Sequence, residues 1–180
     1  MKNIFIITTM IFTIFLSSCE DKIEMPADDI IYSEITKIVT VANADSVITT
    51  RIALAFKIDT CNENNKQVMI YRIIDSIGEC NGYQQIAISA NNSAYMFSNN
   101  DIIPENNLWS GDVAYLDDFA GKGEKFISYR AVATYSGPNQ EKYYYSWIKV
   151  ELSADKSQLK IISRADNLTE GNPIKAGQIE

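Results

Sequence analysis

Apolar and polar positions alternate with a period of two along most of the chain, and no segment holds a helical period. Val47 to Ile58 sets Ile52, Leu54, Phe56 and Ile58 on one face, which predicts a single half-buried strand. Gln67 to Ile74 predicts another, with Val68, Ile70 and Ile74 on one face and Met69, Tyr71 and Ile73 on the other. Gly78 to Gly82 is a turn-rich break, Tyr83 to Ala90 resumes with Ile86 and Ile88, and Asn91-Asn92-Ser93 turns the chain again. The clearest alternation lies in Phe126 to Tyr135, Tyr143 to Leu152 and Leu159 to Ser163, separated by Ser136-Gly137-Pro138-Asn139 and by Ser153 to Ser157. That is the pattern of a three-strand meander. Pro104 to Lys125, rich in Gly, Asn and Asp around Trp109, reads as a long irregular connection with one short strand near Val113. Strands at this spacing predict an all-β fold, an antiparallel β-sandwich, with a partly open barrel as the alternative.

The first residues break the pattern. Lys2 precedes an apolar run, Ile4 to Leu16, interrupted only by Thr8, Thr9 and Thr13, and Ser17-Ser18 supply small residues for cleavage. At ~1.5 Å per residue a helix over this run covers only ~20 Å of a ~30 Å hydrocarbon core. It reads as an export signal, too short for a comfortable permanent span. Leu16-Ser17-Ser18-Cys19 resembles the bacterial lipobox. The resemblance implies that the Cys19 sulfur receives a diacylglycerol, that the mature chain begins there, and that acyl chains such as palmitate hold it to a membrane. Glu20, Asp21, Glu24, Asp28 and Asp29 follow, with Pro26 among them; such a segment buries no apolar area and repels itself, so it reads as an extended tether. Cys19-Glu20-Asp21-Lys22 also resembles the acidic surface-export signal of lipoproteins of the Bacteroidetes group. The division is then a signal peptide over 1–18, an acidic tether over 19–30 and one β-sandwich domain over 31–180. The implied location is the cell envelope: lipid-anchored at the outer membrane, surface-exposed or periplasmic.

All 23 acidic residues fall after residue 18, against 15 basic ones once Lys2 is removed, a net charge of −8. Without a basic cluster, nucleic acid and anionic lipid surfaces are disfavoured as partners. The chain has no histidine, which removes Ser-His-Asp and Cys-His nucleophiles, HExxH zinc sites and histidine pH switches. No cofactor is implied. Cys61 and Cys80 remain after Cys19. Export suggests a disulfide of ~3 kcal/mol, yet a regular strand between them places the two at opposite ends of it. Both readings stay open.

"EKFISYRAVATYSG", "KYYYSWIKVELS", "LKIISRADN" and "GNPIKAGQ", within Glu124 to Glu180, together resemble the closing segment of small secreted β-domain proteins. Those proteins share a "KYiGfr" strand, a "YYGWikV" strand and a "pI.AGQ" ending, and "LWSGDVAYLDDF" fits the segment just upstream. The resemblance implies a β-sandwich and carries no assigned reaction. Ser146 stands where that pattern has glycine. Asp59 to Asn64 occupies the place of a "DlNnDG" acidic loop but lacks the final Asp-Gly.

In the "KYYYSWIKVE" strand, Tyr144, Ser146, Ile148, Val150 and Leu152 share the face suited to a core, while Tyr143, Tyr145, Trp147, Lys149 and Glu151 share the other. Aromatic planes on a rigid sheet can stack on sugar rings or anchor a protein, so Tyr143, Tyr145, Trp147 and Trp109 are candidate contacts for a glycan or an envelope protein. The weightier reading packs them against the C-terminal tail or as cross-strand pairs. Asp59, Asn62, Glu63 and Asn64, and Asp112, Asp117 and Asp118, offer hard oxygen ligands, but the first loop lacks the glycine a calcium loop needs and holds Cys61, and Asn-rich turns are usually only turns, so no metal is assigned. Asp117, Asp118 and Glu124 are the candidate carboxylates for a histidine-free glycan hydrolase. The expectation is a non-catalytic binding or structural module, with that hydrolase as the alternative.

Overall fold

The computed structural model describes residues 29–43, 45–48, 53–62, 65–72, 82–103, 108–111, 113–134 and 141–180. Cys19, the leader and residues 20–28 of the acidic tether lie outside them, as do Glu63, Asn64, Cys80 and Asp112; of Cys61 only the backbone is described, and the last tether residue, Ile30, opens the first strand. Among the described residues every ladder is antiparallel, and twelve strands form three sheets. The largest has the order β1 (Ile30–Thr40), β11 (Gln158–Asn167), β10 (Glu141–Leu152), β9 (Glu124–Thr134), β5 (Gly82–Ile88), β7 (Leu108–Ser110). A four-stranded sheet runs β2 (Asp45–Ile48), β3 (Ala53–Asn62), β4 (Asn65–Arg72), β8 (Val113–Tyr115). The third is a short ribbon of β6 (Ile102–Ile103) and β12 (Ile174–Lys175). The sheets pack on one another without closing into a barrel, and the fold is an all-β sandwich. No helix among the described residues is long and apolar enough to cross a membrane.

The predicted meander is β9, β10 and β11, paired in sequence order. Ile127, Tyr129 and Ala131 of β9 and Ile148, Val150 and Leu152 of β10 point into a core shared with Leu54, Phe56 and Ile58 of β3 and Val68 and Ile70 of β4. Side chains spaced two apart have met across two sheets, as a sandwich requires.

The large sheet has a second core on its other face, where the C-terminal tail packs over Tyr145 and Trp147 as the weightier reading of that strand expects. There Ala87, Phe97, Ile103, Phe126, Tyr145, Trp147, Ala165, Ile174 and Ala176 are buried together under residues 95–103 and the C-terminal tail. Both faces of β9 and β10 are therefore covered, and Tyr145, Ser146, Trp147 and Ile148 are buried in succession.

Two expectations are corrected. Val47 to Ile58 is two strands, since Val47 pairs with Leu54 and Ile48 with Ala53. The reversal between them carries no Gly, Pro, Asn or Asp, so alternation runs through it unmarked. The connection from Pro104 to Lys125 holds two strands rather than one, β7 extending the large sheet and β8 the smaller one. β1, which sequence pattern did not reveal, forms the long edge of the large sheet; its register against β11 shifts between Glu34 and Lys37, where Thr36 takes a φ of 51°. β11 shifts against β10 at the matching level, between Lys149 and Val150. The bulge at Ile162 turns Ser163 and Ala165 towards the outer core while Leu159 and Ile161 serve the inner one.

Candidate functional site

The candidate aromatics separate into two groups by burial. Trp147 and Tyr145 are each 1 % exposed and belong to the outer core. Small neighbours make room for the indole: Trp147 faces Ser128 on β9 and Ala165 on β11, and Ala165 in turn faces Tyr32 on β1. The Phe126 ring meets Trp147 edge-on at 5.2 Å and 89°, and Tyr32 lies 6.2 Å away. Trp147 Nε1 donates to the Gln178 carbonyl at 3.1 Å, so the tail both covers and satisfies the indole. As a stacking platform these two residues are corrected. Their ring faces are inside the protein because the tail and the β6–β12 ribbon close over them.

Tyr143 and Trp109 remain half-buried at the border of the outer core. Between them lies a residue that the sequence reading passed over, Arg130. Its Cζ sits 4.5 Å from the Trp109 ring centroid and 4.2 Å from that of Tyr143. The rings come from β7 and β10, on either side of β9 in the strand order. Arg130 Nε donates to Gln85 Oε1 at 2.7 Å, and Gln85 is its register partner on β5. The Trp109 ring also lies 5.9 Å from Tyr145, and the Tyr143 hydroxyl donates to Glu141. The result is a guanidinium flanked by two rings and oriented at Nε. Among the described residues it meets no carboxylate within salt-bridge distance. "YRAVAT" gives no local signal of this, because the partners come from three other strands.

The candidate carboxylates do not converge. Asp117 Oδ1 takes Lys156 Nζ at 2.7 Å and the Val68 amide at 3.5 Å, tying the 3-10 turn Asp117–Phe119 to β4 and to the β10–β11 turn. Glu124 is paired with Lys149 at 3.0 Å, and Asp118 is exposed. Asp59 is bound by Lys57 at 2.6 Å. Among the described residues no group of three or more His, Cys, Asp or Glu side chains could hold a metal ion.

A second buried polar cluster lies between the strands on the opposite side of the large sheet. Tyr129 is wholly buried and its hydroxyl donates to Asp166 Oδ1 at 2.7 Å; Asp166 Oδ2 accepts from Arg164 Nη1 at 3.1 Å. Burial, then the Asp166 charge and its hydrogen bond, push the Tyr129 hydroxyl well above its usual range. Every polar group in it has a partner, so it reads as a satisfied structural network.

No family model, curated protein or solved structure matches the chain.

Proposed function

We propose that the protein is a lipid-anchored component of the cell envelope whose sandwich is a non-catalytic binding or structural module. The observation that carries this reading is Leu16-Ser17-Ser18-Cys19, placed after an apolar leader and before an acidic stretch. The fold is compatible with it. β1 begins at Ile30, and the Asp29 carbonyl accepts from the Leu168 amide at 2.8 Å, so the folded domain starts eleven residues after Cys19. Those residues reach about 35 Å when extended, enough to hold a domain clear of lipid headgroups. The ion-paired states of Asp117 and Glu124 give the hydrolase alternative no support.

The test is intact mass and detergent partitioning of protein made in its native cells. A chain beginning at Cys19 with added acyl mass, lost in Cys19→Ser, supports the reading; a bare Cys19 or an uncleaved leader overturns it. Protease shaving of intact cells, with and without Glu20→Gln and Asp21→Asn, tests the proposed surface address. Exposure that persists without both charges removes the acidic export signal from the proposal.

A further inference from the structure

We infer that the Arg130 guanidinium, held between Trp109 and Tyr143, is a recognition site for the carboxylate of a small acidic ligand such as a uronic acid. The inference deepens the binding-module reading by naming a ligand class, and it rests on that reading only for its biological setting.

The argument is geometric. A free arginine side chain loses rotamer entropy when it grips a ligand. Here that ordering is already present in the fold, because two rings flank the group at 4.2 and 4.5 Å and Gln85 fixes Nε at 2.7 Å. Structural arginines on a sheet usually end on a carboxylate, as Arg164 does on Asp166. Arg130 ends on none among the described residues. Aromatic flanks satisfy the guanidinium faces but not its N–H edge, and guanidinium hydration is weak enough for an oxyanion to displace it. The edge presents a planar fork whose spacing matches a carboxylate for two parallel hydrogen bonds. With Arg130 half-buried, such a pair would be partly shielded from water and salt. A neutral sugar would find the rings but leave the fork unpaired, and that difference is the source of selectivity.

The experiment uses the full chain purified in detergent, with arginine Nε–H and tryptophan indole N–H signals followed by NMR. Glucuronate, glucose and inorganic phosphate are titrated separately. The inference expects saturable shifts of the Arg130 and Trp109 signals with glucuronate, and at least tenfold weaker binding of glucose. Arg130→Gln should abolish glucuronate binding, and Arg130→Lys, which keeps the charge but loses the fork, should weaken it at least tenfold. If either variant unfolds, the wild-type titrations still decide. No saturable shift with glucuronate overturns the inference, and so does phosphate binding tighter than glucuronate, which would make the site one for phosphate. The site lies wholly within β5, β7, β9 and β10, so the titration is independent of acylation at Cys19. A negative titration with Cys19 acylated leaves an anchored structural module; a positive one with Cys19 bare leaves a binding domain with another address.

Discussion

Two residues show where single atoms decide. Gly177 has a φ of 86°, and a Cβ built there falls 2.1 Å from Asn99 Oδ1 and 3.3 Å from Phe126 Cζ. Asn99 is exposed and can swing aside, whereas the left-handed backbone cannot be relieved. Gly177→Ala should therefore cost about 1–2 kcal/mol in denaturant unfolding. Adding Asn99→Ala should recover little of it, since most of the penalty is in the backbone. Tyr129 is the second case. Its raised hydroxyl means that the unfolded chain gives up this proton near pH 10 while the folded chain keeps it. The stability linked to it is complete below pH 10 and declines as pH rises from there. Tyr129→Phe should lose about 1–3 kcal/mol at neutral pH by leaving the buried Asp166 short of a donor. Stability curves from pH 9 to 11 should be flatter for the variant than for the parent.

At the scale of elements, the turn between β10 and β11 and the C-terminal strap carry distinct weights. Asp155 accepts from the Ser153 and Ser157 hydroxyls and the Ser157 amide, at 2.7, 2.8 and 3.1 Å. These bonds hold its carboxyl down at about 2. The stabilisation is present above the unfolded value of 3.8 and is lost as pH falls towards about 2. Asp155→Ala should lower the denaturation midpoint at pH 7, with the gap to the parent closing on acidification through that window. In the strap, Ile174 is 1 % exposed against the outer core, and Ala176 exchanges backbone hydrogen bonds with Asn100 and Asp101 at 2.8 and 2.9 Å. Ile174→Ala should cost about 2–5 kcal/mol, and loosening of the strap should shift tryptophan emission to longer wavelength as Trp147 meets water. The sequence made the inner core readable, because Ile127, Ile148, Val150 and Leu152 keep an unbroken period of two facing one sheet. The outer core was legible only in part: the Tyr145 and Trp147 face pointed to packing against the tail, but a doubly covered strand buries consecutive residues, and alternation alone does not separate Tyr145 to Ile148 from a strand with one wet aromatic face. β1 was hidden likewise. Its apolar residues, Ile30, Ile31, Tyr32, Ile35, Ile38 and Val39, keep no period of two, and Ile31 and Ile38 are exposed while Ile35 and Val39 pack inward. Arg130 was the least legible feature, since its setting depends on Gln85, Trp109 and Tyr143, which only the sheet order brings together.

For the whole molecule, the proposed anchor and the sandwich are separable. Cys19→Ser should send the protein from the detergent phase to the aqueous phase of a cloud-point partition while leaving its unfolding midpoint unchanged, because the substitution lies eleven residues ahead of the first strand at Ile30. On the proposed membrane surface the acidic balance of residues 19–180 would keep such domains mutually repelling, an effect that added salt should weaken. The N-terminal connection has a mechanical side as well. The chain enters β1 at the level of Asn167, and β1 then runs beside β11 through nine registered pairs, from Ile30 to Thr40. A tug drawn along that axis strains all of those rungs together, like a lap joint in shear, instead of prising them apart from one end. A domain fastened in this way withstands drag from its surroundings with the full length of its outermost ribbon.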